Sequence, residues 1–193
     1  MLIAFNMPDE SPTTRMSMER DGLDIKLKWE EGDALELCVI HGQEVEKQVV
    51  VLTGADISED GKRANFTFLL PEGDYTTFDL YGAYGGGGLD DDDPTKARLP
   101  AIPSVSGNLE DLRKNKAVML TFAKTDIDIT GADLSIDLQH VGSLFCIQLR
   151  NNTFDPWDNI KEVRLFAETA IGAHNNAGAG RLDLTTGLFS GTG

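Results

Sequence analysis

The chain has 193 residues, 40% of them hydrophobic, which is enough for one domain with a sizeable core or two small ones and too apolar for a disordered chain. Its 17 basic and 32 acidic side chains leave a net charge of -15, which repels phosphate backbones and anionic lipid headgroups and argues against nucleic acid as a partner. No apolar run reaches the length of a membrane span.

The opening "MLIAFNMPDESP" lacks the basic region and apolar core of a signal peptide. The expectation is either a cytoplasmic protein or a chain trimmed of its export signal, and the closing "LFSGTG" also reads as a cut. Residues 2 to 7, "LIAFNM", read as a strand. Pro8 and Pro12 behind them predict an accessible loop running towards Arg15.

From there the dominant period is two. Met16 and Met18 alternate with polar residues, and Asp21-Gly22 suits a tight hairpin turn. In "LDIKLKW", Leu23, Ile25, Leu27 and Trp29 share one face, as in a half-buried strand. Gly32-Asp33 breaks the chain before Leu35, Leu37 and Val39 alternate again, and "VEKQVVVL" follows as the next strand. Asp60-Gly61 and Glu72-Gly73-Asp74 mark turns around strands carrying Phe66, Phe68, Phe78 and Leu80.

An open region spans roughly residues 82 to 105 and contains "GGGGLDDDDP". Four aspartates would repel a phosphate from its glycines, and Asp90 to Asp93 lack the alternating spacing of a calcium loop. The expectation is a solvated, mobile loop held open by charge repulsion and dispensable for stability. Ser106 or Asn108 can cap one or two helical turns, and "AVMLTFA" should pack under the loop. "ADLSIDLQH" alternates through Leu134, Ile136 and Leu138, "SLFCIQLR" suits a central strand, and "IKEVRLFAE" and "GRLDLTTGLF" complete the set. About ten short strands and no long amphipathic helix predict an all-β fold: a single antiparallel β-sandwich over residues 1–193 with one short helix in a long loop.

Candidate chemistry is sparse. Cys38 and Cys146 lie in apolar strands, as buried free thiols or as one disulfide. His41, His140 and His174 are far apart, with no metal-ligand or nucleophile motif around them, and His140 reads as structural. Asp33, Asp74 and Asp79 sit near turns, where aspartate bonds to local backbone. No catalytic, cofactor-binding or metal-binding residue is expected, no cofactor and no small-molecule substrate; the chain reads as no enzyme. Trp29, Tyr75, Tyr81, Tyr84 and Trp157 could form a sugar-stacking platform, with Trp29 better placed in the core and Trp157 better placed for exposure. That keeps a carbohydrate-binding module as the second functional reading.

The segments "TTR", "LKWEEGDALEL", "FTFLLPEGDYTTFDLYGAY", "LQHVGSLFCIQLRNN" and "IKEVRLFAE…GRLDLTTG", in this order, resemble the fimbrillin-like proteins of Bacteroidetes, the lipoprotein pilins and cell-adhesion proteins of gut and oral species. The resemblance covers nearly the whole chain. It implies a transthyretin-like sandwich, the N-terminal domain of a longer two-domain protein, exported as a lipoprotein to the outer membrane and cell surface. It implies a fimbrial subunit, tip component or adhesin, whose partners are other pilin or adhesin subunits joined by strand addition, with surface glycans as further partners. Pilus-forming members lose an N-terminal strand by cleavage after an arginine, a place that Arg15 or Arg20 would occupy here.

Overall fold

A computed structural model describes residues 1–6, 17–21, 24–100, 118–131, 134–141, 150–152, 160 and 180–190. The described residues are nearly all β. Among them thirteen strands run in chain order: β1 (Leu2–Asn6), β2 (Ser17–Asp21), β3 (Asp24–Lys28), β4 (Ala34–His41), β5 (Glu44–Val51), β6 (Arg63–Thr67), β7 (Thr77–Gly85), β8 (Lys96–Arg98), β9 (Met119–Asp128), β10 (Ser135–Asp137), β11 (Gln139–Val141), β12 (Arg181–Asp183) and β13 (Phe189–Ser190). A 3-10 turn at Gly54–Asp56 is the helical element among them, capped by Thr53 and Asp56. The helical turns expected after Ser106 or Asn108 lie outside the described residues, as do "SLFCIQL" and "KEVRLFAE". Among the described residues no helix is long and apolar enough to cross a membrane.

The strands form a five-stranded sheet in the order β11-β9-β7-β4-β5, two three-stranded sheets, β10-β1-β6 and β13-β12-β8, and the hairpin β2-β3. Pairing is antiparallel except between β1 and β10. The period-two pattern explains the layering. Leu35, Leu37 and Val39 of β4, Leu80 and Tyr84 of β7, and Leu120 and Phe122 of β9 share one core with Phe5, Phe66 and Ile136 of the first three-stranded sheet. Leu27 and Trp29 enter the same core at the end of β3. Gly82 stands opposite Phe122, whose ring lies where a Cβ at that position would be, so only glycine lets the aromatic cover the strand.

The alternate residues of the five-stranded sheet, Cys38, Tyr81, Ala83 and Met119, face the other way and are also buried. Leu89, Ala97, Leu99 and Leu182 cover them. The sheet is therefore packed on both faces, which a run of apolar residues on alternate sides of each strand makes possible.

This second layer overturns the expected open loop. Residues 87–90 fold back on 96–98 as a hairpin: Gly87 N–H donates to Arg98 O, Arg98 N–H to Gly88 O, and Asp90 N–H to Lys96 O, at 2.8–2.9 Å. Leu89 is 3% exposed and Asp90 7%. Charge repulsion loses because cations meet the aspartates, two from the returning strand of the hairpin and two from distant parts of the chain. Arg181 pairs with Asp90, Arg98 with Asp91, and Lys96 with Asp93. The Lys47 ammonium donates to the carbonyls of Asp90 and Asp91 at 2.7 and 2.8 Å. Burial pushes the Asp90 carboxyl up, but the N–H groups of Asp92 and Asp93 and the Arg181 guanidinium outweigh it and hold it below the usual range. Gly88 has φ +76°, and a Cβ there would strike the Glu36 carboxylate, which accepts the Leu89 N–H at 2.8 Å. As expected, the 118–122 stretch packs under this layer through Met119.

Candidate functional site

β1 occupies the middle of its sheet. It runs antiparallel to β6, with Ile3 opposite Phe66 and Phe5 opposite Ala64, and parallel to β10, with Ala4 beside Ser135. Met1 donates to Phe68 O at 2.7 Å and accepts the Phe68 N–H at 3.1 Å. That pair sets the phase of the ladder, so Ile3 and Phe5 bond towards β6 while Ala4 and Asn6 bond towards β10. The bonds Ala4 N–H to Leu134 O and Leu138 N–H to Asn6 O, at 3.1 and 3.2 Å, fit that phase. From Ala4 to Asn6 the segment thus has a neighbouring strand on each side.

The two faces of β1 differ. Phe5 is fully buried, edge-on to Phe66 and tilted against Phe122, each ring centre 5.0 Å away. On the outward face the Asn6 amide donates to Ser135 Oγ at 2.6 Å and Asp137 Oδ1 at 3.0 Å. Ala4 lines an outward cleft of about 310 Å³ with Arg63 and Asn65 of β6 and Asp56, Ile57 and Ser58. β1 is held by ladder bonds, by an apolar inner face through Phe5, and on its outer face by the Asn6 amide, with Ala4 half-buried.

Of the two arginines expected to mark processing, Arg20 lies in β2 opposite Ile25. Arg15 lies outside the described residues, with Pro8 and Pro12. Asp33 takes the expected turn role, accepting the Glu30 N–H at 2.8 Å, and also accepts the buried Tyr84 hydroxyl at 2.8 Å; Asp79, expected near a turn, instead lies within β7 and accepts the N–H of Asp126 across the β7–β9 ladder at 2.9 Å, where the register shifts. Cys38 is a buried free thiol whose pKa burial pushes up to about 11, while Cys146 is outside the described residues. His140 stands on β11 opposite Leu120; burial lowers its pKa, and its Nε2 is buried without a hydrogen-bond partner. His41 stacks on Tyr75 at 4.1 Å and contacts Thr77 O through Nδ1 at 3.1 Å, and His174 is outside the described residues. Among the described residues no group of three or more His, Cys, Asp or Glu side chains could hold a metal ion.

Among the described residues, the candidate aromatic side chains do not form a surface row. Trp29, Tyr81 and Tyr84 are buried, and Tyr75 is half-buried with its hydroxyl on Pro71 O at 2.7 Å. Trp157 is outside the described residues. The sequence did not point to the Asn6 clamp, because Ser135 and Asp137 lie 129 and 131 residues away and no local signal links them. Comparison with protein-family models, curated proteins and solved structures finds no match to the chain.

Proposed function

We propose that the protein is a structural, adhesive cell-surface subunit that assembles by β-strand addition, with β1 as the exchangeable strand. The observation that carries this reading is the place of β1: a five-residue strand, early in the sequence, that is central in its sheet and bonded on both sides. Withdrawing it would open a groove between β6 and β10 and bare Phe66, Phe122 and Ile136. Fully burying one such side chain contributes roughly 1.5–3 kcal/mol, so an emptied groove strongly favours a replacement strand. The resemblance of the sequence to fimbrillin-like proteins supports the same role and gives the partner as another pilin or adhesin subunit. The role needs no catalytic group and no cofactor.

Limited proteolysis with an arginine-specific protease tests it, followed by mass spectrometry of the first fragment and size-exclusion of the product. The reading expects an early cut at Arg15, because Arg20 is held in a ladder, and a nicked protein that self-associates or takes up an added strand peptide. A first cut elsewhere, or a nicked protein that stays monomeric and ignores strand peptides, replaces strand exchange with a static adhesin domain.

A further inference from the structure

The five-stranded sheet ends at β5, and among the described residues no strand pairs with its far side. β5 pairs with β4 over eight residues without a register shift, from Glu44 opposite His41 to Val51 opposite Ala34. The bond from Leu52 N–H to Asp33 O, 2.8 Å, sets the phase of this ladder. Alternate residues Gln48, Val50, Glu46 and Glu44 therefore bond to β4, and Val45, Lys47, Val49 and Val51 direct their N–H and C=O groups away from the sheet.

Protected edges carry prolines, bulges or outward lysines. β5 has no proline and no bulge, and its one lysine is engaged in holding the 90–91 carbonyls. On the lysine's side of the strand Val45, Val49 and Val51 are 49%, 64% and 56% exposed. On the opposite side, Val50 packs against the core and the Gln48 amide is bonded to the Leu69 backbone in both directions. The remaining side chains of that row, Glu44 and Glu46, are exposed, and neither is in an ion pair.

We infer that the free edge of β5 is a docking surface for an extended segment of another protein in which apolar residues alternate with lysines or arginines. The apolar residues of such a strand would lie beside Val45, Val49 and Val51, and its cations beside Glu44 and Glu46. A net charge of -15 attracts that strand over distance and repels a second copy of the same chain. The site is separate from β1, which lies in the sheet β10-β1-β6. It stands whether or not β1 exchanges.

The test uses the full chain, labelled for NMR, and two capped heptapeptides: Lys-Val-Lys-Val-Thr-Val-Lys and the same peptide with glutamates for lysines. The lysine peptide should slow amide exchange at Val45, Lys47, Val49 and Val51 and leave Glu46 and Gln48, already in the ladder, unchanged. It should bind at least about ten-fold more tightly than the glutamate peptide at low salt, with the gap closing as salt rises. Val49→Pro removes one outward N–H and should abolish binding while β4 amides stay protected. Glu46→Lys, which leaves the ladder intact, should erase the preference for the lysine peptide. Equal binding of both peptides, protection elsewhere, or binding that survives Val49→Pro overturns the inference. So does a dimer of the chain that Val49→Pro dissolves, which would make the occupant a second copy.

Discussion

Trp29 is 3% exposed and meets Phe66 and Tyr84 edge-on at 5.3 and 5.6 Å, yet its indole N–H is buried without a partner. The alternation of Leu27 and Trp29 made its inward direction legible; the orphaned N–H was not, because it depends on what surrounds the ring. Trp29→Ala should cost about 3–5 kcal/mol in a denaturant melt. Trp29→Phe should cost clearly less, since it keeps most of the packing and removes the unsatisfied donor. Iodide should quench Trp29 poorly in the folded state. His140 is the second residue-scale case. Burial lowers its pKa, so the unfolded chain takes up the proton first as pH falls through about 6.5. Stability is fully present above that pH and declines below it, and His140→Gln should flatten the pH profile of the melting temperature just below about pH 6.5. A second decline belongs below about pH 4, where Asp90 and Asp93, both held low, are forced to protonate.

The strands themselves were largely legible, because period two reports which side of each strand meets the core. The hairpin of β2 and β3 was legible near Asp21-Gly22, although Asp21 itself stands in β2, opposite Asp24. Period two does not report which strand is the neighbour. Ile136 and Leu138 keep one alternation where the chain leaves β10, and both bond to β1, yet the very next residues, Gln139 to Val141, pair with β9 in another sheet. The acidic loop failed for a related reason. Its local composition is that of a solvated loop, but Lys47 lies 43 residues before Asp90 and Arg181 91 residues after it. Leu89→Ala should therefore lower stability by about 2–5 kcal/mol. Replacing residues 85 to 93 by a Gly-Ser linker should lower it further, as it also removes the Asp90 and Asp91 pairs. Thermal melts of both variants decide this; an unchanged melting temperature for the linker variant would return the segment to the role of a dispensable loop.

At the scale of the molecule, the architecture gives two strand-sized openings of different kinds, one occupied by β1 and one along the bare edge of β5. "LIAFNM" could be read as a strand from its composition, but its position between β6 and β10 could not, since both partners come from distant parts of the chain. The cleanest test is a reversible lock. Ala4 and Asn65 are opposite each other in the β1–β6 ladder, and the phase set by Met1 and Phe68 makes them a non-hydrogen-bonded pair. In such pairs the Cα atoms lie about 4.5 Å apart, close enough for a disulfide. The chain carrying Ala4→Cys and Asn65→Cys should be cut with the arginine-specific protease and its size measured by light scattering before and after reduction. Strand exchange predicts a monomer while the lock is closed and assembly once it is reduced. Assembly with the lock closed, or no assembly in either state, would contradict it.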